Sequence, residues 1–160
     1  MAKLVKGDKF PDFTVDTHMK KGVKISQIVD GKPTALLVIR YIGCTVCRYD
    51  VHQIAVNYQK FVDRGLNVAV VMQSTAENVN KDLERTKETL PYPIVCDPEE
   101  KIYKELEILP AESMEALVGG DMAGLQAKGA RAAQRGYVHG EYEGNEQQLP
   151  AFFFLAPDLT

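Results

Sequence analysis

Thr34-Ala35-Leu36-Leu37-Val38-Ile39-Arg40-Tyr41-Ile42 runs straight into Gly43-Cys44-Thr45-Val46-Cys47-Arg48, and this join decides the fold. The first part is nearly continuous apolar and β-branched sequence, the signature of a central strand covered on both faces. After Gly43 the period changes from two to about 3.6. Cys47, Val51, Ile54, Ala55, Tyr58, Phe61 and Val62 then fall on one stripe until Gly65. That pattern predicts one helix of roughly five turns.

Working outward, residues 66–72 read as a second buried strand. Ser74 with Glu77 three residues on predicts a capping box for a helix carrying Val79, Leu83 and Leu90. Residues 93–96 read as a short third strand. In Asp97-Pro98-Glu99-Glu100, Asp97 suits a cap, Pro98 the first helical position and Glu100 the third, ahead of Ile102, Tyr103 and Leu106 facing the sheet. The alternation of strand and helix implies an α/β layer fold. A short extended arm over residues 9–15 and an apolar stretch at 25–29 precede it.

Residues 107–148 are less regular and read as an insertion, with helical stretches at 112–118 and 126–134 broken by Gly119-Gly120, Gly136 and Gly144. Residues 149–156 form a strongly apolar strand with Pro150 at its start. The chain stops at Thr160, one element earlier than this pattern leads one to expect, which leaves that strand a side for another segment or a second copy to cover.

With 160 residues, the chain matches a single domain, 1–160. A formal net charge of -3 without a long basic block argues against a nucleic-acid footprint. No apolar run reaches the ~18 residues of a membrane span, and the first nine residues lack a signal-peptide core, so the expected compartment is the cytoplasm. Three cysteines cannot all pair within the chain, and in a reducing compartment the Cys44/Cys47 pair reads as chemistry rather than scaffold.

Cys44 stands where a strand turns into a helix. Unpaired N–H groups and the helix dipole favour an anion there, which makes Cys44 the candidate nucleophile. Cys47, one turn later on the same face and more covered by the sheet, is placed to close a disulfide once Cys44 has reacted. Arg40 and Arg48 are candidate sources of positive potential. Pro150 is singled out because a cis peptide from Leu149, near Cys44, would free backbone groups for an extended substrate chain, the alternative being a trans proline that only marks the strand edge. A zinc site lacks ligands: there is no second cysteine pair, and His18, His52 and His139 are scattered. Cys96 reads as a core filler and His52 as a helix-surface residue, while Tyr137 and His139 are candidates for the pocket border.

With those residues in place, the chain resembles the thioredoxin-like superfamily, and within it the alkyl hydroperoxide reductase/thiol-specific antioxidant family, the peroxiredoxin-like or redoxin proteins. The likeness rests on Gly7-Asp8-Lys9-Phe10-Pro11-Asp12-Phe13 as the entry arm, on the strand ending in Gly43-Cys44-Thr45, and on 66–73, 94–98 and 149–157 in the family's order. It implies a central mixed sheet flanked by helices, with a helical insertion before the late strand and missing final elements. It also implies that Cys44 is the peroxidatic cysteine, oxidised to sulfenic acid, and Cys47 the resolving one. Thr45 belongs to the motif, and Tyr41 stands where the family usually places a peroxide-orienting threonine. The arginine expected just before the late strand is absent from Leu149-Pro150-Ala151.

The implied substrate is a peroxide and the implied donor a thioredoxin- or glutaredoxin-like dithiol. No cofactor or metal is required, and a homodimer is an expected assembly. The two-residue cysteine spacing and Pro150 resemble thioredoxins and related thiol-disulfide reductases, which implies a protein disulfide as the alternative substrate. A noncatalytic binding module on the same fold is the third alternative.

Overall fold

A computed structural model describes residues 3–119 and 121–160; Met1, Ala2 and Gly120, the second half of the expected Gly119-Gly120 break, lie outside the described residues. The elements run β1 (Thr14–Thr17), β2 (Val23–Lys24), α1 (Ile25–Val29), β3 (Thr34–Val38), α2 (Thr45–Val56) and α3 (Tyr58–Asp63). They continue with β4 (Asn67–Met72), α4 (Ala76–Thr86), β5 (Ile94–Cys96), α5 (Lys101–Glu105), α6 (Met114–Val118), α7 (Met122–Gln134) and β6 (Ala151–Leu155). The strands form one six-stranded sheet in the order β2-β1-β5-β4-β3-β6. β3 pairs in parallel with β4 and β4 with β5, while β1 and β6 are antiparallel to their neighbours. The mixed sheet expected from the sequence is therefore present.

Alternation along β3 and β4 divides the core between two faces. Val68, Val70 and Met72 pack with Val51 and Ile54 of α2 and Val79 and Leu83 of α4. Leu36, Val38, Ala69 and Val71 pack with α1, with Ile102 and Tyr103 of α5, and with Phe10 of the entry arm. Both faces being covered is why these strands read as unbroken apolar sequence.

Several boundaries differ from expectation for identifiable reasons. β3 ends at Val38 rather than at 42, because its antiparallel partner there is Ala151, and Pro150 has no N–H with which to extend the ladder. The chain still runs beside β4 for two more residues, through Ile39 N–H to Val71 O (3.0 Å) and Gln73 N–H to Arg40 O (2.6 Å). The five-turn helix is two helices. Asn57 turns its side-chain amide onto Gln53 O (2.8 Å) and leaves the helical region at φ -96°, ψ 8°, a local competition that interrupts the ladder.

The cap of α4 is Thr75, whose hydroxyl accepts Asn78 N–H (3.1 Å), not Ser74. Ser74 Oγ accepts Ile42 N–H (2.8 Å) instead and so ties β4's end to the Cys44 turn. α4 ends at Lys87 in the left-handed region, so Leu90 lies beyond it, although its side chain joins the same core cluster. α5 starts three residues later than expected, with Glu100 as its N-cap in place of Asp97 and Pro98 in the turn before it, although the Asp97 carboxylate still receives Lys101 and Ile102 N–H (3.0 and 2.8 Å).

The segment 107–148 is more regular than its sequence suggested. α7 starts at Met122, four residues before the expected stretch, because Asp121 caps it on Gly124 N–H (3.0 Å). α7 lies against α2, held by Lys128 Nζ to Asp50 Oδ1 at 2.5 Å. β6 is an edge strand: Phe153 and Leu155 face the core, whereas Phe152 and Phe154 are exposed. Among the described residues no helix is long and apolar enough to cross a membrane.

Candidate functional site

Cys44 is the N-cap of α2, in extended conformation immediately before the helix. Its sulfur receives Arg40 Nη2–H at 2.8 Å. The Cys47 thiol and the backbone N–H groups of Cys47 and Val46 lie near enough to act on its charge. The Cys47 hydrogen bond is the largest influence and, against burial, brings the Cys44 thiol down to about 6; the N–H of Cys47, the Arg40 charge and the N–H of Val46 add to it. Cys47 moves the opposite way, well above the ordinary thiol value, because its proton is used on Cys44 and its surroundings are buried. The two thiols are thus shifted in opposite directions, which favours the thiolate on Cys44 and the proton on Cys47.

Arg40 is steered by the end of the 107–148 segment. Its Nη1 donates to Glu146 O at 2.5 Å and lies 3.8 Å from that residue's carboxylate. The Tyr41 hydroxyl donates to Glu146 Oε1 and meets His139 Nε2 at 3.0 Å, and the His139 ring stacks on Tyr142. Burial, followed by the Glu146 carboxylate, holds Tyr41 above the ordinary phenol value, so it remains a neutral phenol. The stretch 139–148 is strapped across the Cys44 turn by Gly140 N–H to Gly43 O (2.8 Å), Thr75 N–H to Glu143 Oε2 (3.1 Å) and Asn145 N–H to Gln73 Oε1 (2.8 Å). Under this strap Cys44 is only 4% exposed. The approach is close enough to require glycine at 43, where a Cβ would fall 2.4 Å from Glu141 O.

The structure places two residues differently from expectation. Arg48 does not face Cys44: its guanidinium donates to Asp82 Oδ1 and Glu88 Oε1 (both 2.5 Å) and Thr86 Oγ1 (2.9 Å), beneath the Tyr137 ring. The side chain of an α2 residue one position after Cys47 is rotated away from the sulfurs, towards α4. His52 is not on the surface. It is 8% exposed, with Nδ1 2.7 Å from Glu88 Oε2, because α7 covers that side of α2. Of the two states open for Pro150, the structure has the trans peptide. It borders a cavity shared with Cys47 and Arg40.

Of the two proposed border residues, His139 reaches Tyr41, whereas Tyr137 belongs to the Arg48 cluster, its hydroxyl donating to Glu88 (3.2 Å). Thr45 is the first residue of α2 and half-buried, with no hydrogen bond from its hydroxyl among the described residues. Cys96 is buried in β5 and pushed up to about 12 by burial, a protonated core thiol. Glu146 and Gly43 carry the site's geometry without having been singled out. A glycine immediately before a candidate nucleophile was the available signal for Gly43. Nothing local marks Glu146. Among the described residues no cluster of three or more His, Cys, Asp or Glu side chains is arranged to hold a metal ion.

No curated protein sequence matches the chain significantly. Among solved structures, it is similar to a cysteine-to-serine mutant of peroxiredoxin 6 from Arenicola marina, with 15% identity and a TM-score of 0.68 over 97% of this chain and 61% of that one. It is also similar to the yeast mitochondrial 1-Cys peroxiredoxin, with 14% identity and a TM-score of 0.69 over 98% of this chain and 64% of that one. A thiol:disulfide interchange protein DsbE described as putative, from Chlorobium tepidum, matches at 22% identity and a TM-score of 0.56 over 68% of this chain and 74% of that one. The chain thus spans about three fifths of the two peroxiredoxins, and the likeness establishes a thioredoxin-like fold. A model of the AhpC/TSA family matches residues 6–159, so the chain belongs to the AhpC/TSA family.

Proposed function

We propose that the protein is a thiol-dependent oxidoreductase that reduces peroxides through Cys44 and Cys47. The Cys44 thiolate attacks one oxygen of the O–O bond, which breaks to leave an alkoxide or hydroxide that takes a proton. The resulting sulfenic acid condenses with the Cys47 thiol, releasing water and forming the Cys44–Cys47 disulfide. A thioredoxin- or glutaredoxin-like dithiol returns the pair to its reduced state. The cycle needs no metal or organic cofactor.

The observation that carries this reading is the 2.8 Å contact from Arg40 to the Cys44 sulfur. It supplies, from the strand side, the cationic support that the family resemblance expects from the late strand. A guanidinium in this place stabilises the thiolate and also the negative charge that spreads onto the departing oxygen. Thr45, which opens α2, and Tyr41, held by Glu146 and His139, frame the turn and do not themselves donate to the sulfur.

The alternative reading, a protein disulfide reductase, is favoured by the two-residue cysteine spacing. Its substrate would have to reach a cysteine that is 4% exposed beneath the 139–148 strap, past a trans Pro150. A hydroperoxide group is small enough to enter where a folded protein's disulfide is not.

Rapid mixing of the reduced protein with hydrogen peroxide, followed by acid quenching and mass analysis, tests the proposal. Fast loss of two hydrogens, mapped to Cys44 and Cys47 and abolished in Cys44→Ser, is the expected result. Slow peroxide oxidation beside fast exchange with a protein disulfide transfers the function to the reductase, and inertness to both leaves a binding module.

A further inference from the structure

The α6–α7 segment encloses a cavity of about 460 Å³ whose floor includes Cys47 but not Cys44. That volume lies inside the ~300–1,000 Å³ range of small-molecule sites. Met114, Leu117, Leu125 and Pro150 form apolar walls, and the cations Arg40, Lys128 and Arg131 outnumber the lining carboxylates Asp50 and Asp121. Lys128 is neutralised by Asp50 at 2.5 Å. Arg131 has no carboxylate partner within 4 Å among the described residues.

The balance of charge depends on the redox state. In the dithiol, Arg40 faces the Cys44 thiolate; once Cys44 is in a disulfide that negative charge is gone, and Arg40 keeps only the Glu146 carbonyl and a carboxylate 3.8 Å away. The cavity then becomes most attractive to an anion when the protein needs a reductant. Geometry and leaving-group chemistry agree on which sulfur is attacked. Cys47 is the sulfur the cavity reaches, and Cys44, with the Arg40 guanidinium 2.8 Å away to receive its thiolate, is the better leaving group.

We infer that the α6–α7 cavity is a binding site for a small anionic thiol, which reduces the Cys44–Cys47 disulfide by attacking Cys47. The inference rests on the disulfide of the proposed function and sets a small thiol, with its site, beside the dithiol protein as a second donor. A thiolate RS⁻ forms a bond to Cys47 Sγ while the Cys44–Cys47 bond breaks, its electron pair leaving on Cys44. A second RS⁻ then displaces Cys47 from the mixed disulfide, giving RSSR, and the Cys47 thiolate takes a proton from solvent. Two thiolates are oxidised to one disulfide as the protein pair is reduced by two electrons.

The test begins from protein oxidised with diamide, so that it does not depend on peroxide as the oxidant. Reduction by mercaptoacetate, 2-mercaptoethanol and cysteamine is compared, each rate divided by the thiolate fraction of the reagent. Mercaptoacetate is expected to exceed cysteamine by about fivefold or more. Arg131→Glu is expected to erase that preference, and Leu125→Trp, which fills the cavity, to slow all three small thiols by a similar factor. Quenching early with N-ethylmaleimide should give Cys44 alkylated and Cys47 carrying the mixed disulfide. Adducts on Cys44, equal rates for the anionic and cationic thiols, or reduction unaffected by Leu125→Trp in a variant whose circular dichroism matches the parent would overturn the inference. Failure of diamide to form any Cys44–Cys47 disulfide would remove the redox mechanism beneath it, an outcome distinct from a disulfide that forms and shows no preference.

Discussion

Arg40 and Arg48 lie eight positions apart, on either side of the same cysteine pair, yet one meets the Cys44 sulfur and the other is consumed by carboxylates. Around Arg48 the cluster is closed: Asp82, Glu88, Thr86 and His52 are mutually satisfied under the Tyr137 ring, with only Nη1 lacking a partner. Around Arg40 it is open, because one of its partners is a thiolate that the proposed reaction removes and restores. A charge whose partners are all fixed holds structure together, whereas a charge whose partner changes state is available for chemistry.

The largest expected effect is on the closed side. Arg48→Leu leaves Asp82 and Glu88 without their buried cation and is expected to destabilise the fold by about 3–5 kcal/mol in denaturant unfolding, whereas Arg40→Leu costs much less. Equal losses from the two substitutions would dissolve the distinction. Gly43→Ala, which drives a Cβ into the Glu141 carbonyl, is expected to cost about 1–3 kcal/mol and to loosen the strap, read as faster amide exchange at Gly140.

Arg40→Leu acts on chemistry instead. With Arg40 removed, the Cys44 thiol moves from about 6 towards the free value, and alkylation of Cys44 at pH 7 is expected to slow by up to about tenfold. The same depression has a signature in stability. A thiol whose folded value is lowered contributes stability present above its unfolded value near 8.5 and lost as the pH falls through about 6. The melting-temperature difference between the parent and Cys44→Ser should therefore grow between pH 6 and 8.5. The smallest effect is Tyr137→Phe, which removes one hydrogen bond to Glu88 but keeps the ring over Arg48, with an expected loss of about 0.5–1.5 kcal/mol in unfolding free energy.

What could be read from the chain follows from how local each signal is. The β3 and β4 runs, the α2 stripe and the cysteine pair at the strand-to-helix join all express periodicities confined to a few residues, and each appears near its expected place. The break at Asn57 was hidden because an amide folding back on Gln53 leaves the apolar stripe intact. The strap was hidden for another reason. Glu146 meets Arg40 and Tyr41 across more than a hundred residues of chain, and no period links them. Likewise, His52 looks like a surface residue until α7, far along the sequence, covers it. The fold and the cysteine pair are local features of this sequence, whereas the direction in which each arginine points is a tertiary one.

A Cys44 thiolate supported from Arg40 is central to the proposed chemistry, and the pH dependence of alkylation at Cys44, followed by mass on the Cys44 peptide of the reduced protein, measures this most directly. The account predicts a midpoint near 6, with Cys47 unmodified until far higher pH. A midpoint near the free-thiol value of about 8.5, or alkylation of Cys47 ahead of Cys44, would contradict it.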